Sequence, residues 1–503
     1  MIGSALRAVR AAGLGVLLAA AGCATLDPLR ENRNSAGAEV RECAAWYEAL
    51  DAAVDKMGVR DAQATRVKGF AYLRVDRFSA SLRGAAQADE AAFHALVDRL
   101  LVLDLEARGH EIPNLPAQAL AKLWIGLGEP ESAASVRRTR ECGRILRDSD
   151  MAGPQARGAL LERLAVPDDY ITGLRVAGLY ELAKIPFSAG VRRHLDETES
   201  AFRREYDPGT RGLLVRYSPP NRPKLKRGQV GEILARAALN PLRVRDPLGE
   251  DLETLFAAFA PSFEVETSGD YDRPGALRWL HGPLPEVEAA DPAVYRQVAQ
   301  TRYRGVNLLQ LVYTVWFPER PPATALDPLA GKLDGVVFRV TLAPDGSPLV
   351  YDTMHPCGCY HMFFTTPRAV PVPAPEGELE WAFVPQALGE IGEDDRLVVR
   401  IASRTHYVER VFRDQTDSLA RYDLRTYDEL RSLPRMTGGT RSVFGPEGFI
   451  AGTNRSEQWL FWPMGIANAG AMRQWGRHAT AFVGRRHFDD ADLLERRFAL
   501  DLR

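Results

Sequence analysis

The sequence predicts an α+β protein in which an all-helical N-terminal domain is followed by an α+β domain built on an antiparallel sheet. Apolar residues recur at helical spacing over residues 36–206, whereas strands that alternate apolar and polar residues mark residues 229–503. Residues 207–228 between them combine prolines and glycines with basic side chains, a composition typical of a linker. At 503 residues the chain is also too long for a single compact core.

The helical domain is predicted from one-sided apolar stripes. In the first helix, steps of three and four residues separate Val40, Cys43, Tyr47, Leu50, Val54 and Met57. Ser35 precedes this stripe and is its expected N-cap. A second stripe consists of Phe93, Leu96, Val97, Leu100 and Leu101. Further helices are expected near residues 117–126, 130–147, 172–184 and 189–205.

The second domain is predicted from alternation and turn chemistry. Residues 336–342 and 349–353 form a predicted hairpin, because Pro344-Asp345-Gly346 between them supplies turn residues. Other strands are expected at 263–267, 397–401 and 407–412, and helices near 229–240, 250–259 and 491–502. The 12-residue apolar run at 306–317 is too short to span a membrane, so it is expected as a buried strand or short core helix.

The charge balance excludes one large class of partners. The chain has 64 Lys and Arg against 66 Asp and Glu, a net charge of −2, so no electrostatic footprint for nucleic acid is present. The sequence contains no Walker loop and no Gly-x-Gly-x-x-Gly, and we therefore expect no nucleotide partner. It also lacks Gly-x-Ser-x-Gly and His-Glu-x-x-His, so the familiar hydrolase and zincin mechanisms have no sequence support.

The N-terminus has the pattern of a sorting signal. Arg7 and Arg10 precede an apolar run over residues 11–21, whose length suits a signal peptide and not a transmembrane helix. The run closes on Ala20-Ala21-Gly22-Cys23, which resembles the lipobox of bacterial lipoproteins. Ala20 departs from that class, which prefers leucine at this position.

The lipobox resemblance implies a lipid anchor. Residues 1–22 would be a signal peptide cut before Cys23, whose thiol would carry diacylglycerol and whose amine would be acylated. Residues 23–35 would form a short tether. Because Ala24 is not the aspartate that retains enteric lipoproteins in the inner membrane, the resemblance implies the outer membrane and its periplasmic face. The alternative is a plain secretory signal with an incidental cysteine.

Two of the five cysteines are expected to form a disulfide. Cys43 and Cys142 lie in predicted helices of the first domain, and the periplasm is oxidising. Closing a loop of 99 residues would stabilise the fold by about 4–5 kcal/mol in the chain-entropy model. The alternative is a pair of buried thiols on the core faces of the helices.

The densest group of chemically active residues is His355, Cys357, Cys359 and His361. Their alternate spacing would place them on one face of a strand, but a flat strand would spread them over about 20 Å. Pro356 and Gly358 permit a curl that brings them together. Thiolate and imidazole ligands suit a tetrahedral Zn²⁺ site, or Cu(I) if Met354 or Met362 joins them.

Two other interpretations of this cluster stay open. Cys357 and Cys359 would form a redox-active or structural disulfide in an oxidising compartment. Alternatively, the segment is a tightly packed turn with buried thiols and hydrogen-bonded histidines.

Three further histidines are candidates for additional metal ligands: His406, His478 and His487. The favoured interpretation makes His406 a half-buried strand histidine, and places the other two in a solvated turn before the last helix. The loop at 270–275 is expected to be a charged turn. The aromatic segments 310–318 and 459–465 are expected to pack in the core of the sheet instead of lining an apolar pocket.

Three functional hypotheses follow. The first is an outer-membrane lipoprotein that holds Zn or Cu through the His/Cys cluster, in a binding or structural role. The second is a metal- or thiol-dependent periplasmic enzyme. The third is an envelope-assembly lipoprotein that binds a protein partner and uses the Cys-Gly-Cys sequence as a structural staple.

Overall fold

The computed structural model describes residues 37–124, 131–204, 212–220, 223–416, 418 and 420–503. The predictions for the signal peptide, Cys23 and the tether therefore lie outside the described residues. The α-helices are α1 Ala38–Met57, α2 Arg77–Ser81, α3 Arg83–Ala88, α4 Glu90–Asn114, α5 Ala117–Leu123, α6 Ser132–Met151, α7 Pro154–Glu162, α8 Thr172–Ala177, α9 Tyr180–Arg203, α10 Arg227–Ala237, α11 Gly249–Phe259, α12 Gln458–Phe461 and α13 Leu493–Arg497.

The strands fall mostly in the second half of the chain, which confirms the predicted α+β class. They are β1 Thr65–Val67, β2 Phe70–Val75, β3 Leu213–Ser218, β4 Ser262–Thr267, β5 Ala276–Arg278, β6 Glu286–Glu288, β7 Ala293–Tyr303, β8 Val306–Arg320, β9 Gly331–Leu342, β10 Pro348–Met354, β11 Met362–Thr365, β12 Ala369–Pro371, β13 Gln386–Ala387, β14 Leu397–Ile401, β15 Val408–Arg413, β16 Ala420–Arg421, β17 Asp423–Thr426, β18 Leu433–Pro434, β19 Thr440–Arg441 and β20 Phe498–Leu500.

Where the structure describes it, the N-terminal half is helical apart from the hairpin β1–β2. The stripe of α1 is buried at Tyr47, Leu50 and Val54, as its spacing predicts. Strands β1 and β2 pair in antiparallel fashion and correct the all-helical prediction. Most of β2 is buried because α1, α4 and α6 pack against it, so the strand lacks the apolar–polar alternation by which exposed strands are recognised.

A disulfide and a buried charge cluster hold the N-terminal half together. Cys43 of α1 and Cys142 of α6 form a disulfide, with their Cα atoms 4.9 Å apart. Beneath it, the Arg74 guanidinium donates to Asp104 Oδ1 at 3.1 Å and to Glu111 Oε1 at 2.7 Å. All three of these charged side chains are fully buried, so each depends on its partners to offset the loss of hydration.

Contacts between charged side chains also join the two halves of the chain. Arg431 donates to Asp61 at 2.9 Å, and Arg77 lies 3.0 Å from Asp489. The predicted linker over 207–228 contains strand β3, which pairs with β4. Leu213, Val215 and Tyr217 alternate in this segment, a strand pattern that the neighbouring prolines and glycines obscured.

Two mixed sheets form the second half of the chain. A seven-stranded sheet has the order β13-β11-β10-β9-β8-β7-β17, and a five-stranded sheet has the order β15-β14-β4-β3-β16. In the larger sheet the central pairs are antiparallel and the outermost pairs, β11–β13 and β7–β17, are parallel. The predicted hairpin is β9–β10, and the run at 306–317 lies in β8, the buried strand beside it.

The C-terminal prediction was partly wrong. The helix expected over 491–502 is confined to α13, after which β20 pairs with β12. Phe498 is buried against Phe363 of the large sheet, which favours an extended chain over another helical turn. Within the described part of the chain, no helix is long and apolar enough to cross a membrane.

Candidate functional site

The His/Cys segment forms a closed turn between β10 and β11. The His355 amide donates to the Cys359 carbonyl at 2.9 Å, and the Gly358 amide donates to the His355 carbonyl at 2.8 Å. Gly358 has φ +91°, and a Cβ atom there would overlap the carbonyl oxygen of Ala479. The curl expected at Pro356 and Gly358 is therefore present, and only glycine fits its tightest point.

The two histidines of the segment bind different carboxylates. His355 Nδ1 lies 3.1 Å from Asp334 Oδ1, whereas His361 Nε2 lies 2.9 Å from Asp352 Oδ2. Among the described residues, no three His, Cys, Asp or Glu side chains are grouped so that they would hold a metal ion. The four-ligand Zn or Cu site therefore stays a prediction that this geometry does not support, because the four side chains are not grouped around one point.

The two cysteines do come together. The Cys359 amide donates to Cys357 Sγ at 3.4 Å, and the two thiols hydrogen-bond each other. Although burial opposes ionisation, that hydrogen bond and the charge of Arg455 lower the pKa of Cys357. The hydrogen bond to Cys357, with burial, raises the pKa of Cys359 well above its ordinary value. The turn therefore holds two neighbouring thiols whose pKa values are shifted in opposite directions.

A chain of alternating carboxylates and imidazoles runs behind the turn. Asp334 accepts from His355 and also from His406 Nδ1, at 3.0 Å, and His406 Nε2 lies 3.4 Å from Asp272. Although burial lowers it, hydrogen bonds to Asp272 and Asp334 raise the pKa of His406. Asp272 belongs to the loop expected as a charged turn, but it is buried. His406 is also fully buried, stacked on Phe317, and does not reach the cysteines as a fifth ligand.

His478 and His487 do not join the cluster either, and the solvated turn expected for them was wrong. His478 is buried beside Trp475, and its Nε2 atom has no hydrogen-bond partner in the described structure. Burial lowers the pKa of His478 to about 3. His487 is buried against Tyr170 and lies 3.5 Å from Asp169. Both histidines therefore pack in the region where the two halves of the chain meet.

A cavity of about 680 Å³ lies over the Cys-Gly-Cys turn. Its floor consists of Cys359, Tyr360, His361 and Met362. Helix α9 covers it with Phe187, Val191 and His194, and α12 closes one side with Leu460 and Phe461. Most of the lining is apolar, so the cavity suits an organic molecule and not a hydrated ion.

The favoured interpretation of the two aromatic segments did not predict this cavity. Segment 310–318 packs in the core, as expected, with Trp316 fully buried. Segment 459–465 does not pack in the sheet: Leu460 and Phe461 line the cavity, and Trp459 is exposed. The contribution of α9 was missed, although Phe187, Val191 and Leu195 recur at helical spacing in the sequence.

Several polar groups converge on the cavity. Burial raises the pKa of Glu457 to about 7, so its carboxyl is often protonated near neutral pH. The Tyr407 hydroxyl donates to the Tyr360 hydroxyl at 2.9 Å. Glu380 accepts from the backbone amides of Phe482 and Val483 at 2.7 and 2.8 Å. The cavity therefore offers a few directional polar contacts within apolar walls.

Backbone strain concentrates in the same region. Among the eight non-glycine residues with positive φ in the described structure, four surround the turn: Leu333, Tyr360, Arg404 and His406. Such conformations cost about 1–3 kcal/mol each and persist only where the surrounding structure enforces them. They are frequent at binding and catalytic sites, which agrees with the position of the cavity.

Comparison of the chain with protein-family models, with curated proteins and with solved structures returns no match. Any function must therefore be argued from the residues and the geometry alone.

Proposed function

We propose that this chain is an outer-membrane-anchored, periplasm-facing lipoprotein that binds an apolar small molecule in the cavity over the Cys-Gly-Cys turn. The cavity itself supports the binding role. Its volume of about 680 Å³ lies within the range of about 300–1,000 Å³ of known small-molecule sites, and its walls are mainly apolar. The anchor is supported by the lipobox-like sequence that ends at Cys23.

The arrangement of polar groups favours a ligand with one polar end. Glu457, Tyr360 and Cys359 lie at the cavity among apolar side chains from α9 and α12. The protonated carboxyl of Glu457 and the phenol of Tyr360 each donate one hydrogen bond, whereas the Cys359 thiol already donates to Cys357. A ligand with an apolar body and an acceptor at one end satisfies both parts of the lining, whereas a highly charged metabolite would lose its hydration without compensation.

A fluorescent apolar probe, N-phenyl-1-naphthylamine, tests the binding role. We expect saturable binding at one site per chain and at least a tenfold loss of affinity in Val191→Trp, because its indole ring would project into the space that the ligand occupies. Arg193→Trp is the matched control, because Arg193 is exposed on the same helix and does not line the cavity. Equal affinity of the two variants would contradict the proposal.

Membrane fractionation tests the anchor separately. Wild type should enter the outer-membrane fraction, and its N-terminal peptide should carry acyl chains by mass spectrometry. Cys23→Ser removes the acceptor thiol and should convert a protein that only detergent extracts into one that alkaline carbonate washes off the membrane. If Cys23→Ser lacks acyl chains but still resists extraction by alkaline carbonate, lipidation is not what anchors the protein.

A second candidate function is Cu(I) binding by the two thiols alone. The observation that favours it is the hydrogen bond between Cys357 and Cys359, which places two soft sulfur ligands side by side. Such a site would use two sulfur ligands in place of the four ligands predicted from the sequence. Because zinc sites usually have three or four protein ligands, we do not expect tight Zn²⁺ binding.

Competition with bathocuproine disulfonate measures Cu(I) affinity. We expect one Cu(I) per reduced chain, with loss of binding in Cys357→Ser and in Cys359→Ser. His361→Gln should bind as wild type, because in the described residues no third His, Cys, Asp or Glu side chain is grouped with the two sulfurs. Loss of Cu(I) binding in His361→Gln alone would restore the larger ligand set and contradict the two-sulfur site.

A further inference from the structure

Exposed apolar side chains are concentrated beside the cavity. Eight of the sixteen large apolar side chains that are exposed in the described residues belong to segments 171–185 and 459–462. We call this group the apolar patch; it consists of Ile171, Val176, Leu179, Leu182, Ile185, Trp459, Leu460 and Trp462. Their exposed fractions run from 38% for Trp462 to 74% for Trp459, so each is open to solvent.

The two segments of the apolar patch form one continuous surface. The Ile171 amide donates to the Gly465 carbonyl at 2.7 Å. A Cβ atom on Gly178 would lie 2.6 Å from Cβ of Pro463, so α8 and the turn after α12 pack closely. Single exposed apolar residues are common on proteins, but a contiguous group of this size marks an interaction surface.

The apolar patch is continuous with the cavity. The ring of Phe187, which follows the patch residues on α9, lies 5.3 Å from the ring of Phe461, which lies between the patch residues Leu460 and Trp462. Phe187 and Phe461 both line the cavity. A ligand that leaves the cavity past these two rings would therefore meet an apolar surface before it meets bulk water.

The chemistry of the apolar patch matches the surface of a lipid bilayer. Trp459 and Trp462 carry the amphipathic rings that favour the headgroup region, and aliphatic side chains surround them. Arg192 is exposed seven residues after Ile185 on α9, which places it on the same helix face two turns away. At the opposite edge, Arg485 donates to the Thr172 hydroxyl at 3.2 Å and also pairs with Asp168.

The length of chain before the described residues agrees with this position. The fifteen residues from Cys23 to Gly37 span at most about 50 Å when fully extended. A protein anchored at Cys23 would therefore stay close to the lipid surface, where even weak contacts of a patch are favoured by proximity. This step rests on the proposed anchor, whereas the composition of the patch does not.

We infer that the apolar patch docks on the lipid bilayer and that the cavity opens toward it, so that the ligand of the proposed function is an amphipathic molecule taken from the membrane. Insertion of the aliphatic and indole groups would bury apolar area at the acyl boundary. Arg192 and Arg485 would then lie at the level of the lipid phosphates, where cations are favoured.

Vesicle flotation tests the docking surface without the lipid anchor. The mature chain, residues 23–503 carrying Cys23→Ser and so without the apolar run at 11–21, is mixed with vesicles of phosphatidylethanolamine and phosphatidylglycerol in a three-to-one ratio. We expect the protein to float with the vesicles, and the double variant Leu182→Ser with Trp459→Ser to lose at least tenfold in partitioning. The matched control is Leu239→Ser with Leu248→Ser, because these two leucines are 85% and 78% exposed in other segments.

A second readout distinguishes lipid contact from self-association. Brominated lipids should quench the fluorescence of Trp459, and Trp459→Phe should lose that part of the quenching. Three outcomes would overturn the inference: no flotation of the Cys23→Ser chain, equal flotation of the two double variants, or a dimer in sedimentation velocity that only the patch variant dissociates. The third would assign the apolar patch to a second copy of the chain.

These outcomes are separable from those of the proposed function. Probe binding is measured in solution without vesicles, so a cavity that binds N-phenyl-1-naphthylamine survives a failure of docking. Conversely, vesicle binding that persists in Val191→Trp would support the patch even if the cavity binds nothing. Because all substituted patch residues are exposed, unchanged thermal unfolding serves as the check that each variant is folded.

Discussion

His355 Nδ1 lies 3.1 Å from Asp334 Oδ1, and both side chains are buried beneath the cavity floor. The same carboxylate also accepts from His406 and lies 3.5 Å from the Arg455 guanidinium. Although burial opposes its ionisation, Arg455 and the two imidazoles hold the pKa of Asp334 well below its ordinary value. Asp334 is therefore the hydrogen-bond acceptor for His355 and His406 and the countercharge of Arg455.

Asp334→Asn should destabilise the protein by about 3–5 kcal/mol, because it leaves the buried guanidinium of Arg455 without its countercharge. Urea unfolding at pH 7, followed by circular dichroism, measures this loss. Asp270→Asn is the control: its side chain is 93% exposed, and its removal should change the free energy of unfolding by less than about 0.5 kcal/mol. Equal effects of the two substitutions would show that the Asp334 network contributes no stability.

The free energy of unfolding should fall as the pH drops from about 6.5 toward 4. Burial lowers the pKa of His361 to about 3, and burial also lowers that of His478 to about 3. An unfolded chain binds protons at these positions below about pH 6.5, whereas the folded chain does not. The sign is therefore a loss of stability on acidification, up to about 1.4 kcal/mol per pH unit for each histidine.

Urea unfolding at a series of pH values checks this dependence, with His478→Gln as the informative variant. The variant should have a shallower pH dependence between pH 4 and 6 than wild type, whatever its stability at pH 7. A variant with the wild-type slope would mean that His478 binds a proton in the folded state.

Reduction of the disulfide between Cys43 and Cys142 should lower the free energy of unfolding by about 2–5 kcal/mol, because the loop between them gains freedom when unfolded. Dithiothreitol should therefore destabilise wild type strongly and the double variant Cys43→Ala with Cys142→Ala only slightly. Alkylation of the unfolded, unreduced protein, followed by mass spectrometry, should leave Cys43 and Cys142 unmodified. A similar effect of dithiothreitol on both proteins would show that another disulfide is the important one.

Gly358→Ala should open the Cys-Gly-Cys turn. The added Cβ would overlap the carbonyl oxygen of Ala479, and φ +91° strains any side chain. We expect a loss of about 2–4 kcal/mol and faster alkylation of the two thiols by iodoacetamide. Gly438→Ala is the matched control, because its φ is +85° and open space surrounds it, so only the backbone strain remains. Equal losses of stability in both variants would show that the clash with Ala479 contributes nothing.

Local patterns in the sequence predicted much of this fold. The β9–β10 hairpin and the stripe of α1 depend on residues that are close in the sequence, and the structure has both. Strands β2 and β3 were missed for opposite reasons. Burial from several helices removed the alternation of β2, while turn-forming neighbours hid the alternation of β3.

The site was predictable only as a collection of residue types. The density of His355, Cys357, Cys359 and His361 identified the turn over which the cavity lies. It did not reveal that Asp334 and Asp352, on strands β9 and β10, engage the two imidazoles. The cavity was beyond prediction for the same reason, since α9 and α12 are more than 250 residues apart in the chain and meet only in the fold.

The pKa of Glu457 gives the cavity a testable pH dependence. Burial raises this pKa to about 7, so the carboxyl is mainly neutral at pH 6 and mainly ionised at pH 8. An apolar ligand favours the neutral form, because ionisation draws water into the cavity. The affinity for N-phenyl-1-naphthylamine should therefore fall by about tenfold from pH 6 to pH 8, since one proton is linked to binding.

Glu457→Gln mimics the neutral carboxyl, so this variant should bind the probe at pH 8 as tightly as wild type does at pH 6. Its affinity should also be independent of pH in this range. Glu447→Gln is the matched control, because Glu447 is 71% exposed and remote from the cavity lining, and it should keep the wild-type pH dependence. If Glu457→Gln and wild type share one pH profile, the ligand does not occupy the cavity beside Glu457, and the binding site must be sought elsewhere on the protein.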